Sequence, residues 1–113
     1  MKVGFRMRVL TLAVLGLVLA GCESIEIAKI KQDPSRFQGK TVQVEGTVTT
    51  SFGAMNMGGY EIQDETGSIY VISNHGVPSG GAKVVVQGTV FTGAMLAGRS
   101  LGVAIREKEH KVK

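Results

Sequence analysis

The stretch VQVEGTVTTSFGAM, Val42 to Met55, is echoed further along the chain by VVVQGTVFTGAM, Val84 to Met95. Each copy alternates valine with a second residue, reaches Gly-Thr-Val and ends in Gly-Ala-Met. Alternation at period two with β-branched residues is the mark of a strand with one buried face. The valines Val42, Val44 and Val48 fall on one face, and Gln43, Glu45, Thr47 and Thr49 on the other. A glycine inside such a strand permits a bulge or a sharp coil. Gly46 and Gly88 hold the same place in the two copies. The repeat therefore predicts two equivalent bent strands, each feeding a loop at one rim, Ser51 to Gly59 and Gly93 to Arg99.

Between and after the copies the alternation continues. Tyr60 and Ile62 alternate with Glu61 and Gln63; Ile69 and Val71 alternate with Tyr70 and Ile72; Leu101, Val103 and Ile105 alternate with Gly102, Ala104 and Arg106. That makes five strands. Asp64-Glu65-Thr66-Gly67 has the composition of a tight hairpin turn. Ser73 to Gly81, SNHGVPSGG, reads as a loop. One helical candidate precedes the strands, Ile25 to Gln32, with Ser24 as its N-cap; Asp33-Pro34 breaks it and starts a further turn that Gly39 closes. The tail from 108 to 113, KEHKVK, is charged and is expected to fray.

Residues 1–21 stand apart from this domain. Lys2, Arg6 and Arg8 precede Val9 to Ala20, an apolar run broken only by Thr11 and Gly16. The run is short for a bilayer span and follows a basic segment, the pattern of a secretory signal peptide. It ends in Leu19-Ala-Gly-Cys22, which resembles the bacterial lipobox. The resemblance implies that Cys22 becomes the first mature residue and carries a diacylglyceryl group, with residues 22–24 as a lipid-anchored N-terminus. It also implies a cell-envelope location facing the periplasm. Glu23, rather than Asp, after the cysteine favours the outer membrane if the organism is Gram-negative. The formal charge of +4 mostly reflects this leader; removing its three cations leaves ten basic and nine acidic side chains. Cys22 is the one cysteine of the chain, so no disulfide staples the domain.

Five short antiparallel strands with one buried face predict an all-β barrel. DPSRFQGKTVQVEGTV, YEIQDETGSIYV and GAKVVVQGTV together resemble the OB-fold pattern of small bacterial envelope proteins. The resemblance implies a five-stranded Greek-key barrel over 25–107, with a short N-terminal helix plugging one end. The helix usual between strands three and four is not expected, because Ser73 to Gly81 is short and glycine-rich.

Nothing in the sequence sets a nucleophile beside a base, and a non-catalytic binding module is the expectation. Asp64 and Glu65 are turn formers. An oligonucleotide-binding OB surface needs a basic groove with aromatic platforms. Tyr70 offers one platform, but the outward residues of strands one to three include Glu45 and Glu61 and no cation, which disfavours nucleic acid. The rim loops carry more promise. Phe52, Met55, Met57, Met95 and Arg99, with Tyr70 on the adjoining strand, form the expected face for a protein or small-ligand partner. Met55, Met57 and Met95, with His75 from the third loop, are the alternative metal ligands, since thioethers suit Cu(I). A haem reading is related: ISNHGVPSGGAKVVVQG is similar to the middle of a periplasmic haem chaperone of cytochrome maturation, which implies a haem-attaching histidine near the C-terminus. His110 is the residue so placed, though its surroundings and the lipobox depart from that family. Apart from the covalent lipid on Cys22, no cofactor is expected.

Overall fold

The computed structural model describes residues 23–113 other than 55, 56 and 97; Met55, and Cys22 with the leader, lie outside the described residues. Two short helices, α1 (Ile27–Gln32) and α2 (Pro34–Phe37), precede five strands: β1 (Thr41–Ala54), β2 (Met57–Gln63), β3 (Ser68–Ser73), β4 (Lys83–Leu96) and β5 (Arg99–Val112). The sheet closes as a barrel in the order β1-β2-β3-β5-β4, with β4 returning to β1. All neighbours are antiparallel except β3 and β5. This is the five-stranded barrel that the alternation predicts, in the OB-fold order that the resemblance implies.

Closure depends on β1 serving two partners. Its first half, Thr41 to Thr47, pairs with β4, and its second half, Thr47 to Ala54, pairs with β2, with an irregular register between Val48 and Thr50. The strand must coil to make that change, and Gly46 sits just before it. A Cβ there would lie 2.8 Å from the Gln63 carbonyl oxygen. Gly88 in β4 is tighter still: a Cβ would lie 2.4 Å from the Arg106 carbonyl oxygen, at the irregular register beside Gln87. Both repeat glycines admit a neighbouring backbone that no side chain would tolerate.

The interior is built from the alternating residues. Val44, Val48, Tyr60, Ile62, Ile69, Val71, Val84, Val86, Val90 and Ile105 are buried in one cluster, and Ile27 and Ile30 of α1 complete it from one end. The helix is thus a plug, as expected. Its N-terminus is capped differently from the expectation. Glu26 is the N-cap residue and makes no side-chain cap bond; Ser24 instead accepts a hydrogen bond from Gln43 Nε2 at 3.2 Å. The β2–β3 turn supplies the cap. Ile27 N–H donates to Asp64 Oδ2 and Ala28 N–H to Thr66 Oγ1, each at 3.0 Å. Residues 25 and 26 fall outside the helix because tertiary acceptors fix its first turn at Ile27.

Two further expectations are corrected. The rim loops are much shorter than Ser51–Gly59 and Gly93–Arg99: β1 and β2 run on to Ala54 and Met57, and β4 and β5 to Leu96 and Arg99. Backbone pairing continues through the Gly-Ala segments, with Gly53 opposite Gly58 and Ala94 opposite Gly102. The tail does not fray either. Residues 108–112 belong to β5, where His110 pairs with Val86 and Val112 with Val84, and Lys113 Nζ reaches Glu45 at 2.6 Å.

Candidate functional site

Strand alternation sends one set of side chains into the barrel and the other outward. On β3, Ile69 and Val71 point in, which leaves Tyr70 and Ile72 outside. There they meet outward residues of β4 and β5. Ile72, Ala94, Leu101 and Ala104 form a second buried cluster, against which Phe52, Tyr70 and Phe91 pack while partly exposed. The Phe52 and Tyr70 rings meet edge to face with centroids 6.1 Å apart. The Arg106 guanidinium lies 4.4 Å from the Phe91 ring centroid, a cation–π contact. Met95, 60% exposed, stands beside this cluster on β4. The partly exposed Phe52, Tyr70 and Phe91 rings over this cluster, with Met95, give the outer face an apolar surface between two hairpins.

The expected face is thus assembled in part. Phe52 and Tyr70 are together, and Met95 lies on the hairpin that carries Phe91 and Ala94. Met57 and Arg99 are placed as the first residues of β2 and β5. Phe91, Ile72 and Arg106 were not among the expected site residues. Phe91 stands shortly before the second Gly-Ala-Met as Phe52 stands before the first, and that parallel is the sequence signal for it.

The polar face of β1 and β2 is a separate surface. Glu26, Glu45, Thr47, Thr49, Gln63, Asp64, Glu65 and Thr66, with Lys83, line an open groove of about 550 Å³. Two of its carboxylates, Asp64 and Glu45, have structural work. Asp64 binds the first turn of α1 and its own turn, accepting from Thr66 N–H at 2.7 Å and Gly67 N–H at 3.1 Å. Partial burial tends to raise the Asp64 pKa. The hydrogen bonds from Ile27, Thr66 and Gly67 outweigh it, so the net direction is down.

A third group of residues was scattered in the sequence and is gathered by the fold. The Glu107 side chain is fully buried where β5 passes the end of β3. Its Oε1 accepts from the Tyr60 hydroxyl and lies 2.8 Å from His110 Nδ1; its Oε2 accepts from Ser73 Oγ at 2.8 Å and lies 3.5 Å from His75 Nδ1. The His110 ring stands edge-on to Tyr60 at 5.8 Å. Burial, then the hydrogen bond and negative charge of Glu107, push the Tyr60 phenol far above its usual range, so Tyr60 remains a donor. Every lone charge this deep needs such partners. His75 is therefore beside Glu107, and His110 is a fixed member of the strand rather than a group on a free tail. Among the described residues no three His, Cys, Asp or Glu side chains are arranged to hold a metal ion.

No family model matches the chain, and no curated protein does. Solved structures do. The chain is similar to a putative aspartyl-tRNA synthetase from Leishmania major, at 14% identity and TM-score 0.66, over 80% of this chain and 20% of that one. It is similar also to asparaginyl-tRNA synthetase from Pyrococcus horikoshii, at 20% identity and TM-score 0.63, over 80% of this chain and 23% of that one. A smaller match is an OBody bound to hen egg-white lysozyme, at 20% identity and TM-score 0.55, over 68% of this chain and 84% of the OBody. The chain spans about a fifth of the synthetases it matches. At these identities the likeness shows the OB fold alone.

Proposed function

We propose that the chain is a lipid-anchored, non-catalytic binding module of a bacterial cell envelope, and that it holds a protein partner on the outer face of β3, β4 and β5. The observation that carries the partner reading is the apolar cluster outside the barrel, rimmed by Phe52, Tyr70 and Phe91, with exposed Met95 beside it. Aromatic side chains with methionine and arginine are the residues enriched at protein interfaces. The OBody bound to lysozyme supports the reading by showing a chain of like fold holding a protein. The anchoring half rests on Leu19-Ala-Gly-Cys22 behind its basic and apolar leader. Acyl chains on Cys22 would hold the barrel close to the membrane, since few residues separate the cysteine from α1.

The test has two arms. Fatty-acid labelling of cells should mark the wild type and not Cys22→Ser; label retained on the serine variant would refute the anchor. Crosslinking in the envelope should then identify proteins joined to the wild type and lost in Phe91→Asp, with circular dichroism confirming that the variant folds. A crosslinking pattern unchanged by Phe91→Asp would refute the face. An oligonucleotide is the second reading, favoured by the Arg106–Phe91 stack beside Tyr70. It predicts binding that collapses with added salt, whereas an apolar protein contact depends on salt much less.

A further inference from the structure

We propose that Glu107, His110 and His75 form a proton-operated latch that ties the β3–β4 loop to β5, tightening on acidification. The inference does not depend on what the outer face binds. The loop, residues 74–82, leaves β3 at Ser73 and crosses to the β1–β2 hairpin, where Pro78 is buried and its carbonyl accepts from Ser51 Oγ at 2.7 Å. Its end is tied to β1, where Gly81 N–H donates to the Val48 carbonyl at 2.7 Å and Val48 N–H to the Ala82 carbonyl at 2.8 Å. The start of the loop is held at the cluster. His75 N–H donates to Ser73 Oγ at 2.9 Å, and Ser73 Oγ donates in turn to Glu107. The His75 ring is 59% exposed and approaches Glu107 Oε2 at 3.5 Å. That distance is too long for a strong neutral hydrogen bond but short for an ion pair.

The groups that face the carboxylate from each element are few. β2 gives Tyr60, which stays protonated; β3 gives the Ser73 hydroxyl; β5 gives His110; β4 presents Gly88, which has no side chain. Arg106 and Lys108, on either side of Glu107, are exposed while Glu107 is buried. Among the described residues His75 and His110 are thus the cationic partners within reach. Histidine is the side chain that ordinarily changes charge between about pH 5 and 8. A proton taken by either ring neutralises a carboxylate that burial has stripped of water. His110 is already fixed by its strand and its 2.8 Å contact. His75 sits on a loop, so its protonation is the step that moves something: the imidazolium closes on Oε2 and holds the loop against β5.

The test is amide hydrogen exchange by mass spectrometry on the full chain at pH 7.5 and 5.5, with protection factors corrected for intrinsic exchange. For residues 74–82 the wild type should gain about two- to five-fold protection at pH 5.5, the range set by a half-exposed ion pair. His75→Gln, at an exposed position, should fold normally and show equal protection at both pH values. Glu107→Gln, which keeps the shape and removes the charge, should also lose the pH dependence if it folds. Wild-type loop protection unchanged by pH would overturn the latch. So would the same gain at pH 5.5 in His75→Gln.

Discussion

The barrel is closed at its two ends by opposite chemistry, and each end is organised by one carboxylate. At one end α1 inserts Ile27 and Ile30, and Asp64 on the β2–β3 turn holds the helix by its first N–H, that of Ile27. At the far end of β3, Glu107 enters the interior and gathers Tyr60, Ser73 and His110. Asp64 keeps access to water and is satisfied mainly by backbone donors, with the Thr66 hydroxyl beside them. Glu107 has no access to water and is satisfied by side chains from β2, from β3 and from its own strand. The comparison teaches where a small β-barrel tolerates charge. A carboxylate at a turn can be supported locally, whereas one in the wall must be supplied with a full set of donors by the fold.

The largest effect should come from a carboxylate placed in the wall without such a set. Val86 is fully buried and Val85, its neighbour, only partly so. Val86→Asp should cost on the order of 3–5 kcal/mol or more, enough to unfold a domain that has no disulfide. Val85→Asp should cost less than about 1 kcal/mol. Thermal melts check the pair. Equal damage from both would break the assignment of inner and outer faces on β4.

Next comes the removal of the far-end carboxylate. Glu107→Ala leaves the Tyr60 and Ser73 hydroxyls buried without their acceptor and opens a cavity. It should cost roughly 2–4 kcal/mol. Glu107→Gln retains an acceptor oxygen and should cost about half as much, as denaturant titration would read. If the alanine variant were as stable as the wild type, the network would hold nothing together.

The legibility of these features follows from which face of each strand is apolar. β1 and β4 were plain because their buried faces are valine, and Gly46 and Gly88 marked their bends. The latter part of β5 was not, because its inward face carries Glu107 and His110 while charge also fills its outer face. With polar residues on both sides, period two leaves no hydrophobic trace, and KEHKVK reads as a tail. The ends of the hairpins were hidden in a different way. Gly-Ala-Met has loop composition, yet facing glycines such as Gly53 and Gly58 let two strands stay paired. The Glu107 cluster joins residues 47 positions apart in the case of Tyr60, and no local pattern links them. The outer apolar cluster was half legible: Phe52 and Phe91 stand before the two Gly-Ala-Met segments and Tyr70 on an adjoining strand, whereas Ile72 and Arg106 join them only when β3, β4 and β5 are set side by side.

Of the two carboxylate-to-alanine changes, the smaller effect should be at the helix-plugged end, and its pH dependence sharpens the contrast. Asp64→Ala removes the acceptor for Ile27 N–H and for the turn, and should cost about 1–2 kcal/mol, the usual worth of a helix cap. Because the folded-state pKa of Asp64 is depressed, its contribution is fully present above the unfolded value, near pH 4. It is lost as pH falls through the folded value. Stability of the wild type should therefore decline on acidification below about pH 4 more steeply than that of Asp64→Ala, so the two curves converge. Denaturant midpoints measured from pH 7 to pH 2 would show it. Curves that stay parallel would mean that the Asp64 carboxylate contributes nothing to the cap as an anion, and that Thr66 Oγ1 alone holds the first turn of the helix.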